Sequence, residues 1–140
     1  MTLDLRLERW VPAKPARVFD AFTDIDELRS WFTCDPSSTW TFHTWDATVG
    51  GQLQVTISGD GYAMEVHGRF VTVERPNRLA YDWDDELVAL DFRPQDGGTL
   101  IVLHHQRLAT DTDVQIRNGG WTHNLGSLAG HLTTAKETRT

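Results

Sequence analysis

Six histidines, one cysteine and a run of acidic residues are the groups in this chain that carry reactive chemistry, and their spacing decides what they can do. Zinc sites pair His and Cys at short fixed spacings. His43, His67, His104, His105, His123 and His131 contain no HExxH pair, and Cys34 has neither a CxxC partner nor a second cysteine for a disulfide. His104 and His105 are adjacent, so in a strand they point to opposite faces and do not share a metal. If Ile101 and Leu103 face inward, so does His105. A lone inward histidine reads as a hydrogen-bonded core residue, although a histidine beside a carboxylate is also what acid–base chemistry would use.

Asp82, Asp84, Asp85 and Glu86 bring four carboxylates together. A calcium loop of the EF-hand type needs a different spacing and a glycine at its centre, so the run reads as a solvated hairpin tip. No GxSxG, no phosphate-binding glycine loop and no GxGxxG occurs. The expectation is no metal, no cofactor and no catalytic residue. Aromatic residues are the more informative set: Trp31, Phe32, Tyr81, Trp83, Phe92 and Trp121 can fill a core or line a cavity within it.

These side chains depend on the elements that carry them. Leu3, Leu5 and Leu7 alternate with Asp4, Arg6 and Glu8, which predicts a half-buried strand. Pro12 and Pro15 end it, and Pro15 suits the first turn of a helix, where its missing N–H has no partner to lose. Val18, Phe19 and Phe22 follow at helical spacing. Asp24 with Glu27 has the form of a capping box and opens a second short helix, with Leu28, Trp31 and Phe32 on its apolar side. In residues 33–48, Trp40, Phe42 and Trp45 alternate only loosely with polar residues, which fits a strand or a packed loop.

From Gly50 the pattern is one of strands and turns. Leu53, Val55 and Ile57 share one face, and Gly59-Asp60-Gly61 turns the chain. A strand from Tyr62 to about Glu74 stops at Pro76-Asn77. Leu79, Tyr81 and Trp83 alternate, then Val88, Leu90 and Phe92, then Thr99, Ile101, Leu103 and His105, with acidic or Asp-Gly turns between them. Such short turns join antiparallel neighbours. About six antiparallel strands are expected.

The period then changes. Val114, Trp121, Leu125, Leu128 and Leu132 share one face of a helix whose start Asp111 or Asp113 can cap. Gly119, Gly120, Gly126 and Gly130 weaken that helix by roughly 1 kcal/mol each relative to alanine, and the Gly119-Gly120 pair is a place for a kink. Gly119, Gly126 and Gly130 lie opposite Trp121, a solvent face or the contact surface of a homodimer.

With 140 residues, the chain has room for one core, so a single domain spans 1–140. A net charge of −7 repels phosphate backbones and anionic membranes, which argues against nucleic acid as a partner. The N-terminal residues have no apolar core of a signal peptide and no run reaches the length of a membrane span, so a cytoplasmic location is expected.

Several short motifs occur in a familiar order. Val11-Pro12-Ala13 leads to Val18-Phe19-Asp20-Ala21-Phe22, then Leu28 with Trp31-Phe32, then Val49-Gly50-Gly51. Gly68 precedes Arg78-Leu79-Ala80-Tyr81-Asp82-Trp83, Gly98-Thr99 leads to His105, and Gly120-Trp121 leads to Leu125 and Leu128. This series, from Val11 to Leu132, resembles the AHSA type of the START/Bet v 1-like superfamily, named for the activator of the heat-shock protein 90 ATPase. The resemblance implies an α+β helix-grip fold: a curved antiparallel sheet wrapped around a long C-terminal helix, with two short helices after the first strand. Its motifs are turns and core aromatics rather than reactive groups, and the fold hosts many activities.

The leading expectation is a non-catalytic domain that holds a small, mostly apolar molecule between sheet and helix. The site would take Tyr81, Trp83, Leu90, Phe92, Leu103 and His105 from the sheet. Trp121, Asn124, Leu125 and Leu128 would come from the long helix, and Leu28, Trp31 and Phe32 would form its mouth. His105, Asn124 and Tyr81 would orient the guest. The alternatives are a protein-interaction module of the kind the family name implies, and a cyclase- or hydrolase-like enzyme acting on a hydrophobic substrate.

Overall fold

Alternating strands become a seven-stranded, wholly antiparallel sheet in the order β1-β7-β6-β5-β4-β3-β2. The computed structural model describes residues 2–32 and 37–138, so Cys34 lies outside the described residues. β1 (Leu3–Val11) is followed by α1 (Pro15–Thr23), α2 (Ile25–Trp31) and the meander β2 (Thr39–Trp45), β3 (Gln52–Gly59), β4 (Tyr62–Glu74), β5 (Arg78–Trp83), β6 (Glu86–Gln95) and β7 (Gly98–Leu108). α3 (Asp111–Thr138) closes the chain. This is the expected helix-grip fold.

The seventh strand is β2, where the sequence left strand and loop open. A bulge between Phe42 and Thr44 inserts one residue, so Phe42 and Trp45 both reach the core despite their odd spacing. That bulge is why the alternation looked loose. Across β5, β6 and β7 the phase is as expected: Tyr81, Val88 and His105 form one buried rung, and Leu79, Leu90 and Leu103 the next. The β6–β7 turn is Asp96-Gly97, both with positive φ (50° and 75°), a geometry that suits this dipeptide.

β4 is long because it serves two neighbours. Its first half pairs with β3 and its second half, after a bulge at Phe70/Thr72, pairs with β5. At the crossing point Gly68 lies against the carbonyl oxygen of Asp82, where no Cβ fits. Next to Gly68 the pairing of β4 passes from β3 to β5, and β2, β3 and the start of β4 form a flap beside the remaining strands.

Pro15 occupies the first turn of α1, and the carbonyls at that helix's C-terminal end are met by tryptophans: Trp31 Nε1 donates to Ala21 O at 3.0 Å and Trp45 Nε1 to Phe22 O at 2.9 Å. The Asp24 carboxylate accepts from the N–H groups of Asp26 and Glu27, as an N-cap should. Glu27 does not complete the box. Its Oε1 instead accepts from Arg17 Nη1 at 2.7 Å and pairs with His131 Nε2 at 2.9 Å, which ties α1, α2 and α3 together.

α3 runs unbroken through Gly119-Gly120 and continues past Leu132 to Thr138. Its start is capped by Thr110, whose Oγ1 accepts from the Asp113 N–H at 3.1 Å, rather than by Asp111 or Asp113. Trp121, Asn124, Leu125, Leu128 and Leu132 are its buried face, packed on β1, β7 and α2. No helix among the described residues is long and apolar enough to cross a membrane.

Candidate functional site

The packing of α3 is concentrated on β1, β7 and α2, and between its first turns and the flap there remains an open cleft of ≈ 460 Å³. The flap wall is a ladder across three strands: Trp40 opposes Ile57, and Ile57 opposes Met64. Val66 and Tyr62 extend it along β4, in phase with Met64. Phe32, Trp83, Val88 and His105 also line the cleft. On α3 the lining runs from Gln115 to Trp121; Ile116, Arg117 and Gly120 share one face there, and Gly120 leaves that face without a side chain.

Aromatic rings make a continuous surface. Phe32 packs against Trp31, Trp40, Phe42, Trp45, Trp83 and Trp121, and Trp40 stacks on Trp83 with centroids 5.9 Å apart and planes 22° from parallel. At the mouth the large apolar side chains are open to water: Tyr62 is 48% exposed, Met64 49% and Ile116 58%.

The polar end of the cleft is built on Glu86. It opposes Trp83 and is in phase with Val88, Leu90 and Phe92, so its carboxylate turns to the concave face rather than to solvent. His105 Nε2 approaches Oε1 at 2.7 Å, and Arg117 closes a two-point pair through Nε to Oε1 at 2.9 Å and Nη2 to Oε2 at 3.0 Å. Trp121 Nε1 donates to His105 Nδ1 at 2.9 Å. An indole nitrogen only donates, so Nδ1 accepts and the ring proton sits on Nε2, directed at Glu86. Burial pushes the Glu86 carboxyl up, but hydrogen bonds from His105 and Arg117 and the charge of Arg117 outweigh it and hold the group at about 2. Glu86 is thus not part of a solvated tip, as its acidic neighbours suggested. Its inward phase was the available signal, and Arg117, one turn before Trp121 on the same side of α3, was the matching one.

Of the residues expected at the site, Phe32, Trp83, His105 and Trp121 line this cleft. Leu28, Trp31, Tyr81, Leu90, Phe92, Leu103, Asn124, Leu125 and Leu128 are buried in the packed interior beyond it. The expected set follows the middle of α3, whereas the cleft follows its first turns. Trp40, Ile57, Tyr62, Met64, Val66, Asp84, Glu86, Val88 and Arg117 were not anticipated. Among the described residues no group of three or more His, Cys, Asp or Glu is placed to hold a metal ion.

A family model described as "Activator of Hsp90 ATPase homolog 1-like protein" matches residues 12–133. None of the curated proteins matches the chain in sequence. Among solved structures, a crystal structure from Chromobacterium violaceum superposes with a TM-score of 0.81 at 23% identity, covering 91% of this chain and 96% of that one. A solution structure of an AHSA1-like protein from Aeromonas hydrophila gives 0.81 at 22% identity, covering 96% and 94%. A crystal structure from Nitrosomonas europaea gives 0.79 at 19% identity, covering 96% and 97%. At these identities the likeness establishes the fold alone.

Proposed function

The chain belongs to the Activator of Hsp90 ATPase homolog 1-like family, of START/Bet v 1-like fold, and on that footing we propose that it is a non-catalytic binding domain for a small, mostly apolar molecule. The observation that carries this reading is the ≈ 460 Å³ cleft with Trp40, Trp83 and Phe32 on its walls and one ionic cluster at its end. Volume, apolar lining and a few convergent polar groups are what small-molecule sites share. The net charge of −7 favours such a guest over nucleic acid.

The same geometry argues against acid–base catalysis. Both nitrogens of His105 are engaged, one with Trp121 and one with Glu86. A carboxylate held at about 2 is a weak base near neutral pH.

The test is titration with N-phenyl-1-naphthylamine, a neutral apolar fluorophore, followed by tryptophan quenching. Saturable one-to-one binding is expected. Gly120→Phe places a ring on the cleft face of α3 and should abolish binding, with a cooperative melt retained because phenylalanine is a better helix former than glycine. A wild type that never binds, or a Gly120→Phe variant that binds unchanged, overturns the reading. A protein-contact module is the second reading, favoured by the exposed apolar rim of Tyr62, Met64 and Ile116. It moves ahead if no probe binds.

A further inference from the structure

Resting on the cleft described above, we infer that its guest is an organic cation: a flat apolar body against the aromatic wall, carrying an ammonium group directed at Asp84. Among the described residues, three charged ones line the cleft, Asp84, Glu86 and Arg117, and Asp84, at its edge, also borders a second pocket with His67 and Arg69. Glu86 and Arg117 neutralise each other through their two-point pair. Asp84 is left over. Its Oδ1 accepts from the backbone N–H of His67 at 2.9 Å, and among the described residues no cationic side chain forms an ion pair with it. Among the described residues, the lining of the cleft therefore holds one carboxylate beyond the Glu86–Arg117 pair, at an exposed position, within a chain of net charge −7.

The wall chemistry points the same way. Trp40, Trp83, Phe32, Tyr62 and Trp121 offer electron-rich rings, and the faces of tryptophan and tyrosine attract cations, quaternary ammonium groups above all. An anionic guest would face two carboxylates, Asp84 and Glu86, against the one cation Arg117, whose Nε and Nη2 are already given to Glu86. A neutral guest would use the wall and leave Asp84 unanswered.

Asp84 also permits a clean test. It occupies the β5–β6 turn at φ 54°, a conformation that asparagine tolerates, and Asn Oδ1 can still accept from His67. Asp84→Asn therefore removes the charge and keeps the turn. The experiment titrates the full chain with three naphthyl probes: 2-naphthylmethyl-trimethylammonium, its neutral isostere 2-neopentylnaphthalene, and anionic 2-naphthalenesulfonate. The ammonium probe is expected to bind roughly fivefold or more tightly than the neutral one, the size of a partly exposed charge pair plus a cation–ring contact. That advantage should shrink in high salt and largely vanish in Asp84→Asn, while the neutral probe binds both proteins alike.

Equal or tighter binding of the neutral probe overturns the cation inference and leaves the cleft reading standing. So does a sulfonate that binds best, or an ammonium advantage that survives in Asp84→Asn. If none of the three binds, the cleft reading falls and the inference falls with it.

Discussion

The indole N–H of Trp121 donates to Nδ1 of His105 at 2.9 Å, joining α3 to β7 by a bond that fixes the histidine's tautomer. Behind it, Trp121 packs edge-on to Phe32 with centroids 5.4 Å apart. Trp121 is thus both a core aromatic and the donor that holds a buried imidazole in place.

Replacing it separates the two roles. Trp121→Ala removes ring and bond and should cost about 3–5 kcal/mol. Trp121→Phe keeps a ring against Phe32 but leaves a buried acceptor without its donor, for about 1–3 kcal/mol. Urea denaturation of both variants measures this, and an unchanged midpoint for Trp121→Ala would contradict the packing described.

Glu86 should make stability depend on acid. Its carboxyl falls from 4.5 to about 2 on folding, so between those values the unfolded chain binds a proton that the folded one does not. Stability then rises with pH: the contribution is complete above the unfolded value and is lost as pH falls through the folded one. Its size is of order 3 kcal/mol. Wild type should exceed Glu86→Gln in unfolding free energy near neutral pH, with a gap that narrows on acidification. A gap independent of pH would show that Glu86 is not held as described.

Two glycines should respond in opposite ways. At Gly68 a Cβ would meet the carbonyl oxygen of Asp82, a backbone atom that cannot swing aside, so Gly68→Ala should cost at least about 2 kcal/mol. At Gly119 a Cβ meets nothing, and Gly119→Ala should leave stability unchanged or raise it by up to about 1 kcal/mol. Thermal melts of the pair decide it, and a harmless Gly68→Ala would refute the close approach of Gly68 to Asp82.

Much of the architecture was legible because it follows from period and phase. His105 faces inward as the alternation with Ile101 and Leu103 required, and the buried residues of α3 include Trp121, Leu125, Leu128 and Leu132 as their spacing required. The cleft was not legible, for two reasons. The ladder Trp40–Ile57–Met64 depends on a β2 register that a bulge disguises. The ionic cluster depends on Glu86 and Arg117 finding each other across two elements. Phase shows that each turns inward, but local sequence does not show whether an inward charge has a partner.

The pairing of β1 has a consequence for how the chain comes to be folded. β1 stands at one edge of the sheet, and its one strand neighbour is β7, with Leu3 opposite Leu108. Every other strand joins the strand next to it in the sequence. During synthesis β1 is made before the other six strands and can pair only once the last of them, β7, has been made. Its Leu5 and Val11, buried at the end, stay uncovered through that interval. Closing so long a loop is slow relative to pairing adjacent hairpins. The period of greatest exposure to aggregation thus lies before β7 is complete, and it belongs to β1.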